Sequence, residues 1–167
     1  DEMHLRALEN MLVKFPIIAD IDLHNLVRST WHHLKTFSGA PEAIDRLRSK
    51  YTVVVLTILN WQSIVSSSKK AGVQWDGILS CEFLGYYKPS LQAYLKGVGL
   101  LGIVPSETMM VAAHKGDLAA AREAGLHTAF VSVPEEDHVD EGFQLSDNAN
   151  FDINANDYES LCQQLGV

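Results

Sequence analysis

The chain has 167 residues, of which 47% are hydrophobic, and a formal net charge of −8 at pH 7; this suits one globular domain with a packed core and room for a small helical subdomain. The acidic balance disfavours nucleic-acid and anionic-membrane partners, which need clustered Lys and Arg. Two cysteines are too few for a disulfide framework, and no apolar run reaches the roughly 20 residues that cross a bilayer, so the sequence predicts a cytoplasmic protein.

Residues 1–38 carry two helical patterns. A first apolar stripe runs from Leu5 to Phe15, and a second runs from Leu23 to Leu34 after a break at Pro16. We expect these helices to pack as a hairpin and to form a helical portion apart from the main domain, residues 39–167. Because the chain opens in an amphipathic helix instead of a strand, we also expect an amino-terminal piece of the domain to be missing.

From residue 39 onward, helices and strands alternate. A short helix ending at Lys50 precedes the strand 52–57, which is apolar on both faces and therefore typical of a buried parallel strand. Helices are predicted at 62–71, 90–99, 117–124 and 158–165, and strands at 78–80, 109–112 and 128–131. The alternation with short connections predicts an α/β fold, a three-layer doubly wound and mainly parallel sheet.

Ligands in such sheets bind at the carboxyl ends of the strands, so the residues that leave each strand are the candidates for chemistry. Lys88 precedes Pro89, which biases it towards an extended turn, and its ammonium group could hold a carboxylate there. The alternative is an ordinary exposed lysine. Tyr94 is expected near the same strand-end opening, or else as a core tyrosine.

Asp117 and His114 follow the strand 109–112. Asp117 comes after Gly116 at a predicted helix start, where an acid is favoured by the helix dipole and can cap free amides. It could instead orient Lys88 or activate a water. His114 could present an imidazole to a substrate, although a single loop histidine is more often only solvated.

The loop after the strand 52–57 offers three further candidates. The hydroxyl group of Thr57 should face the crevice and could donate to a carboxylate. Asn60 and Trp61 could line a pocket, although Trp61 could also merely cover apolar surface.

No cofactor and no metal ion are predicted. The run from Gly97 to Gly102 matches the dinucleotide-binding fingerprint in its letters, but it follows a helix instead of a strand. The seven histidines include no pair at His-x-x-x-His spacing, which disfavours a zinc site. Cys81 is expected to be buried and inert.

Four segments in this order resemble the haloacid dehalogenase superfamily, and specifically the type II L-2-haloacid dehalogenases. They are Thr57, residues 71–76 (Ala-Gly-Val-Gln-Trp-Asp), Lys88 within Tyr-Lys-Pro together with Tyr94, and residues 111–117 (Val-Ala-Ala-His-Lys-Gly-Asp). The resemblance implies hydrolysis of small 2-haloalkanoic acids to 2-hydroxy acids through an aspartyl ester, often in a homodimer. It makes Lys88 the partner of the reacting carboxylate, Thr57 a hydrogen-bond donor to that carboxylate, and Asp117 the group that orients Lys88 or the hydrolytic water. By the same resemblance, residues 1–38 would belong to a cap over the substrate.

The sequence departs from this family at several positions. Ile58 stands where an Asn is common, and His114 stands where many relatives have an Asn. Ala112 and Ala113 replace the carboxylate that Mg²⁺-dependent phosphatases of the superfamily need, which favours a metal-independent dehalogenase over a phosphatase. A non-catalytic module that binds small anions is the third alternative.

The nucleophilic aspartate is the main absence. In the resembled family it ends the first strand, and this chain shows no such strand. Residues 17–22 imitate one by ending in Asp20-Ile21-Asp22, but they follow Pro16 and lie within the expected cap. We therefore expect the 167 residues alone to be inactive in ester formation, and the central sheet to have an unpaired internal edge.

Overall fold

A computed structural model describes residues 2–15, 18, 21–133 and 151–167. The described helices are α1 Glu2–Lys14, α2 Leu23–Thr30, α3 Ala40–Arg48, α4 Trp61–Ala71, α5 Cys81–Leu84, α6 Leu91–Leu101, α7 Lys115–Glu123 and α8 Tyr158–Leu165. The described strands are β1 Val54–Thr57, β2 Gly77–Ser80, β3 Met109–Ala112, β4 His127–Val131 and β5 Ile153–Ala155, and a 3₁₀ turn covers Pro105–Glu107. The structure confirms the predicted α/β fold with parallel strands.

The strands form two parallel sheets instead of the single predicted one. β1 pairs with β2, and β3, β4 and β5 form the second sheet in that order. In the described part of the chain, β1 and β3 are each paired on one side only, because no described strand lies between them. Leu56 of β1 and Met110 of β3 nevertheless pack against the same cluster around Tyr94 and Val98. The two sheets therefore share one apolar core.

Helix α6 packs against the first sheet at Gly97. A Cβ atom at this position would meet Leu79 at 3.5 Å and Leu56 at 3.7 Å. The glycines that imitate a dinucleotide fingerprint thus lie within α6 and at its end, where Gly102 has a φ of +71°. Helix α6 also contacts α7, so it connects the two sheets beneath the carboxyl ends of their strands.

Helices α1 and α2 contact each other, as the two apolar stripes predict. Ser67 of α4 donates a hydrogen bond at 2.8 Å to the carbonyl oxygen of Trp31, the residue after α2. The Trp31 ring is stacked on His4 of α1 with 4.3 Å between ring centroids. Helix α4 is thus tied directly to the end of the helical pair. None of the described helices is long and apolar enough to cross a membrane.

Two short elements were not predicted. Helix α5 is a single turn whose start is capped by the Ser80 side chain, and β5 has three residues that pair with β4. The acidic stretch predicted before the last helix lies mainly in residues 134–150, outside the described residues. Half of the imitation of a nucleophile motif, residues 17, 19 and 20, lies outside them too. Within it, Asp22 caps α2, since its side chain accepts the Asn25 N–H at 3.0 Å.

Candidate active site

Three side chains that follow the strands, Lys88, Tyr94 and Asp117, form a hydrogen-bonded group. Lys88 Nζ lies 2.7 Å from Asp117 Oδ2, and the Tyr94 hydroxyl donates to Asp117 Oδ1. The Lys88 and Asp117 side chains are 19% and 15% exposed, and Tyr94 is fully buried. The structure therefore brings Asp117 to Lys88 and Tyr94, which lie 29 and 23 positions earlier in the sequence.

Tyr94 acts here as a neutral donor. Burial raises the pKa of its phenol well above the ordinary value, and the hydrogen bond to the Asp117 carboxylate raises it further. At neutral pH the hydroxyl group therefore keeps its proton. Together with Lys88 it fixes both oxygens of the Asp117 carboxylate.

The sequence analysis predicted that Asp117 begins its helix, but the structure shows that it does not. Helix α7 begins at Lys115 with His114 as the N-cap residue, and Asp117 lies inside its first turn. Gly116 is part of the helix and not of a preceding turn. Asp117 remains near the helix N-terminus, where the dipole favours a negative charge, but its carboxylate bonds to Lys88 and Tyr94.

His114 lies between β3 and α7. Its side chain makes no capping bond to the helix, and its Nε2 atom is buried. The Nε2 edge of the imidazole ring thus faces protein, while the residue as a whole is partly exposed.

Thr57 ends β1, opposite Ser80 at the end of β2. Its Oγ1 atom accepts the Leu59 N–H at 3.1 Å, which turns the chain after the strand. Because the oxygen is the acceptor in this bond, the hydroxyl proton can be donated to another group.

Asn60 and Trp61 form the junction between this loop and α4. Asn60 is the N-cap residue, and its Oδ1 atom accepts the Ser63 N–H at 2.8 Å. The Trp61 side chain is 48% exposed and meets Phe83 edge to face, with 5.7 Å between ring centroids. Asn60 therefore has a helix-capping role that the sequence analysis did not predict, and Trp61 leaves much of its ring open to solvent.

Two residues next to this loop were missed. Ser80 donates to the carbonyl oxygen of Leu59 at 2.7 Å, and Glu82 accepts the Trp61 N–H at 2.9 Å. The signal was their position: both stand where β2 ends, among the strand-end residues that favour a site. No group of three or more His, Cys, Asp or Glu side chains in the described residues is arranged to hold a metal ion.

The chain is similar to a known protein family and to solved structures. The family model for haloacid dehalogenase-like hydrolases matches residues 6–131. No curated protein matches the chain.

Solved structures are similar over almost the whole chain. The L-2-haloacid dehalogenase PA0810 is 31% identical with a TM-score of 0.85, and the match covers 98% of this chain and 70% of that one. The defluorinating L-2-haloacid dehalogenase Rha0230 is 33% identical with a TM-score of 0.85, covering 98% and 68%. The L-2-haloacid dehalogenase from Xanthobacter autotrophicus, at 16% identity and a TM-score of 0.77 over 96% and 73%, shares the fold.

Proposed function

The chain belongs to the haloacid dehalogenase-like hydrolase family, and from this premise we propose that its crevice serves the hydrolytic dehalogenation of small 2-haloalkanoic acids to 2-hydroxy acids. The observation that carries the proposal is the Lys88 ammonium group, held at the crevice by Asp117 at 2.7 Å. A fixed cation at this point suits the carboxylates that such chemistry needs. Two similar structures above 30% identity are L-2-haloacid dehalogenases, which supports this substrate class.

In the proposed reaction, a carboxylate oxygen attacks the carbon that bears the halogen, and the halide leaves with the bonding electrons. Water then attacks the carbonyl carbon of the resulting ester, which releases the 2-hydroxy acid and restores the carboxylate. Lys88 holds the reacting carboxylate, and the Thr57 hydroxyl donates a hydrogen bond to it. Asp117 and Tyr94 are positioning residues, since they fix the Lys88 ammonium group. His114 would present its imidazole ring to the substrate.

The attacking carboxylate belongs to none of these residues. Asp117 is bonded to Lys88 and Tyr94, and the resemblance gives it a positioning role. For the 167-residue chain by itself we therefore expect binding of a halocarboxylate without release of halide.

L-2-chloropropionate tests this proposal. We expect it to raise the melting temperature of the chain, whereas D-2-chloropropionate and p-nitrophenyl phosphate with Mg²⁺ should have less effect. If L-2-chloropropionate leaves the melting temperature unchanged and the chain hydrolyses p-nitrophenyl phosphate, the proposal is overturned in favour of a phosphatase. Halide release by the 167 residues alone would instead show that one of them supplies the nucleophile, which contradicts the expectation of binding without turnover.

Two further features of the proposal come from the resemblance alone. One is a homodimer, which light scattering of the purified chain would detect as twice the mass of 18.5 kDa. The other is the division into a cap, residues 1–38, and a core, residues 39–167, with the crevice between them.

A further inference from the structure

The loop between β1 and α4 and the first residue of that helix, residues 58–61 together, are hydrogen-bonded to two side chains of a neighbouring part of the chain. Ser80 Oγ donates to the carbonyl oxygen of Leu59 at 2.7 Å. Glu82 Oε2 accepts the backbone N–H of Trp61 at 2.9 Å. The loop thus has one external hydrogen bond to its middle and one to its end.

Both fastening residues belong to one rigid unit. Ser80 ends β2 and is fully buried, and its Oγ atom also accepts the Glu82 N–H at 3.2 Å as the cap of α5. Since β2 pairs with β1 up to Thr57, the anchor and the base of the loop are held in one register. Movement of the loop therefore requires these bonds to break.

The Glu82 carboxylate occupies a favourable place at the start of α4. Trp61 is the first residue of that helix, so its N–H has no acceptor within the helix. A carboxylate at this position satisfies the N–H and is stabilised by the helix dipole. Asn60 satisfies another N–H of the same turn, that of Ser63. Glu82 is therefore an external cap for α4.

These bonds are important because the apolar side chains of the loop are not buried. Ile58 is 59% exposed and Trp61 is 48% exposed, at the carboxyl end of β1. A segment with few buried apolar contacts is held mainly by its hydrogen bonds. The loop follows directly on Thr57, so its conformation sets what surrounds the hydroxyl group of that residue.

We propose that Ser80 and Glu82 are positioning residues for ligand binding: they hold residues 58–61 in the conformation that places Trp61 beside the bound halocarboxylate and orients the Thr57 hydroxyl group towards the reacting carboxylate. This inference rests on the proposed function for the identity of the ligand. The fastening of the loop itself can be measured without any ligand.

Hydrogen exchange of the Trp61 amide, followed by NMR, and the dissociation constant for L-2-chloropropionate are the two measurements. Glu82→Ala should increase the exchange rate of that amide about tenfold and weaken binding several-fold. Glu82→Gln keeps an acceptor oxygen, so it should lie close to the wild type in both measurements. Glu107→Ala is the matched control, because Glu107 also accepts a backbone N–H, that of Val104 at 3.2 Å, away from the crevice.

The two measurements separate this inference from the proposed function. An unchanged exchange rate in Glu82→Ala overturns the inference, and so does faster exchange without loss of affinity. If the wild type does not bind L-2-chloropropionate, the proposed function fails. The fastening of the loop is then decided by the exchange rates of Glu82→Ala and Ser80→Ala alone, where faster exchange in both supports it and wild-type exchange overturns it.

Discussion

Lys88 Nζ and Asp117 Oδ2 are 2.7 Å apart and connect the segment after β2 to the first turn of α7. β2 and β3 belong to different sheets in the described part of the chain, so this ion pair joins the two sheets at the crevice. Both side chains are largely shielded from water. Their electrostatic attraction is therefore screened less than that of a surface ion pair. The same contact can therefore serve anion binding and the cohesion of the fold.

Lys88→Ala should weaken both. The dissociation constant for L-2-chloropropionate should rise at least about tenfold, equivalent to about 1.4 kcal/mol, because the fixed cation is lost. The free energy of unfolding should also fall, since the shielded Asp117 carboxylate loses its counter-ion. Calorimetric titration and urea unfolding measure the two effects. Lys69→Ala, in the exposed last turn of α4, is the control, and equal affinities of the two variants would contradict the role of Lys88.

Tyr94→Phe keeps the buried ring and removes only the hydroxyl group that donates to Asp117. We expect a loss of about 1–3 kcal/mol in the free energy of unfolding, because hydrogen bonds to charged groups are stronger than average. Tyr51→Phe removes a hydroxyl group that donates to Leu165 at 2.8 Å, on a residue that is 40% exposed. Urea unfolding should show a smaller effect there, and a larger effect for Tyr51→Phe would argue against a special bond at Tyr94.

Asp76→Asn should change how stability depends on pH. The Val53 N–H at 2.8 Å, and then the Arg48 guanidinium group at 2.9 Å, hold the pKa of Asp76 below its usual value. A carboxyl pKa that is lower in the folded than in the unfolded state stabilises the fold above the unfolded pKa of about 3.9, and this stabilisation is lost as the pH falls through the folded pKa.

The difference in unfolding free energy between the wild type and Asp76→Asn should therefore be largest near neutral pH and shrink below about pH 4. Urea unfolding at several pH values measures it. Glu42→Gln, a change in an exposed residue of the first turn of α3, provides the baseline. A difference that stays constant from pH 7 to pH 3 would contradict the assignment.

Ser67→Ala tests the connection between residues 1–38 and α4. Loss of the 2.8 Å bond to the Trp31 carbonyl should speed proteolytic cleavage between residues 32 and 39 and leave the core protected. Ser66→Ala, one position away on the same helix, should be cleaved at the wild-type rate. Equal cleavage of both variants would show that this bond does not hold the helical pair.

Much of the fold could be predicted because its strands and longer helices have strong local patterns. The strand Met109–Ala112 and the helix Tyr158–Leu165 begin and end where the apolar pattern predicts. The one-sided pairing of β1 and β3 agrees with the unpaired internal edge expected from the sequence, whereas the order of the strands within each sheet depends on neighbours that the pattern of one strand does not specify. Helix α5 and strand β5, with four and three residues, are too short to show a period.

The site shows the same contrast. Lys88, Tyr94 and Asp117 were each predicted at the crevice, but their contacts depend on the packing of α6 against α7, which no local pattern specifies. Asp117 was expected at a helix start because Gly116 suggested a turn, whereas the helix includes that glycine. Ser80 and Glu82 were missed because their hydrogen bonds go to backbone atoms of another loop.

The parallel pairing described above also bears on how the chain folds. In every paired register, such as Val54 opposite Gly77 and Met109 opposite His127, the partners are about 25 residues or fewer apart in the chain. Each sheet can thus form from contacts of short sequence separation before the two meet. The Lys88–Asp117 ion pair can form only when both sheets are present, and because the sheets also share the cluster around Tyr94 and Val98, native-state hydrogen exchange should show them opening together.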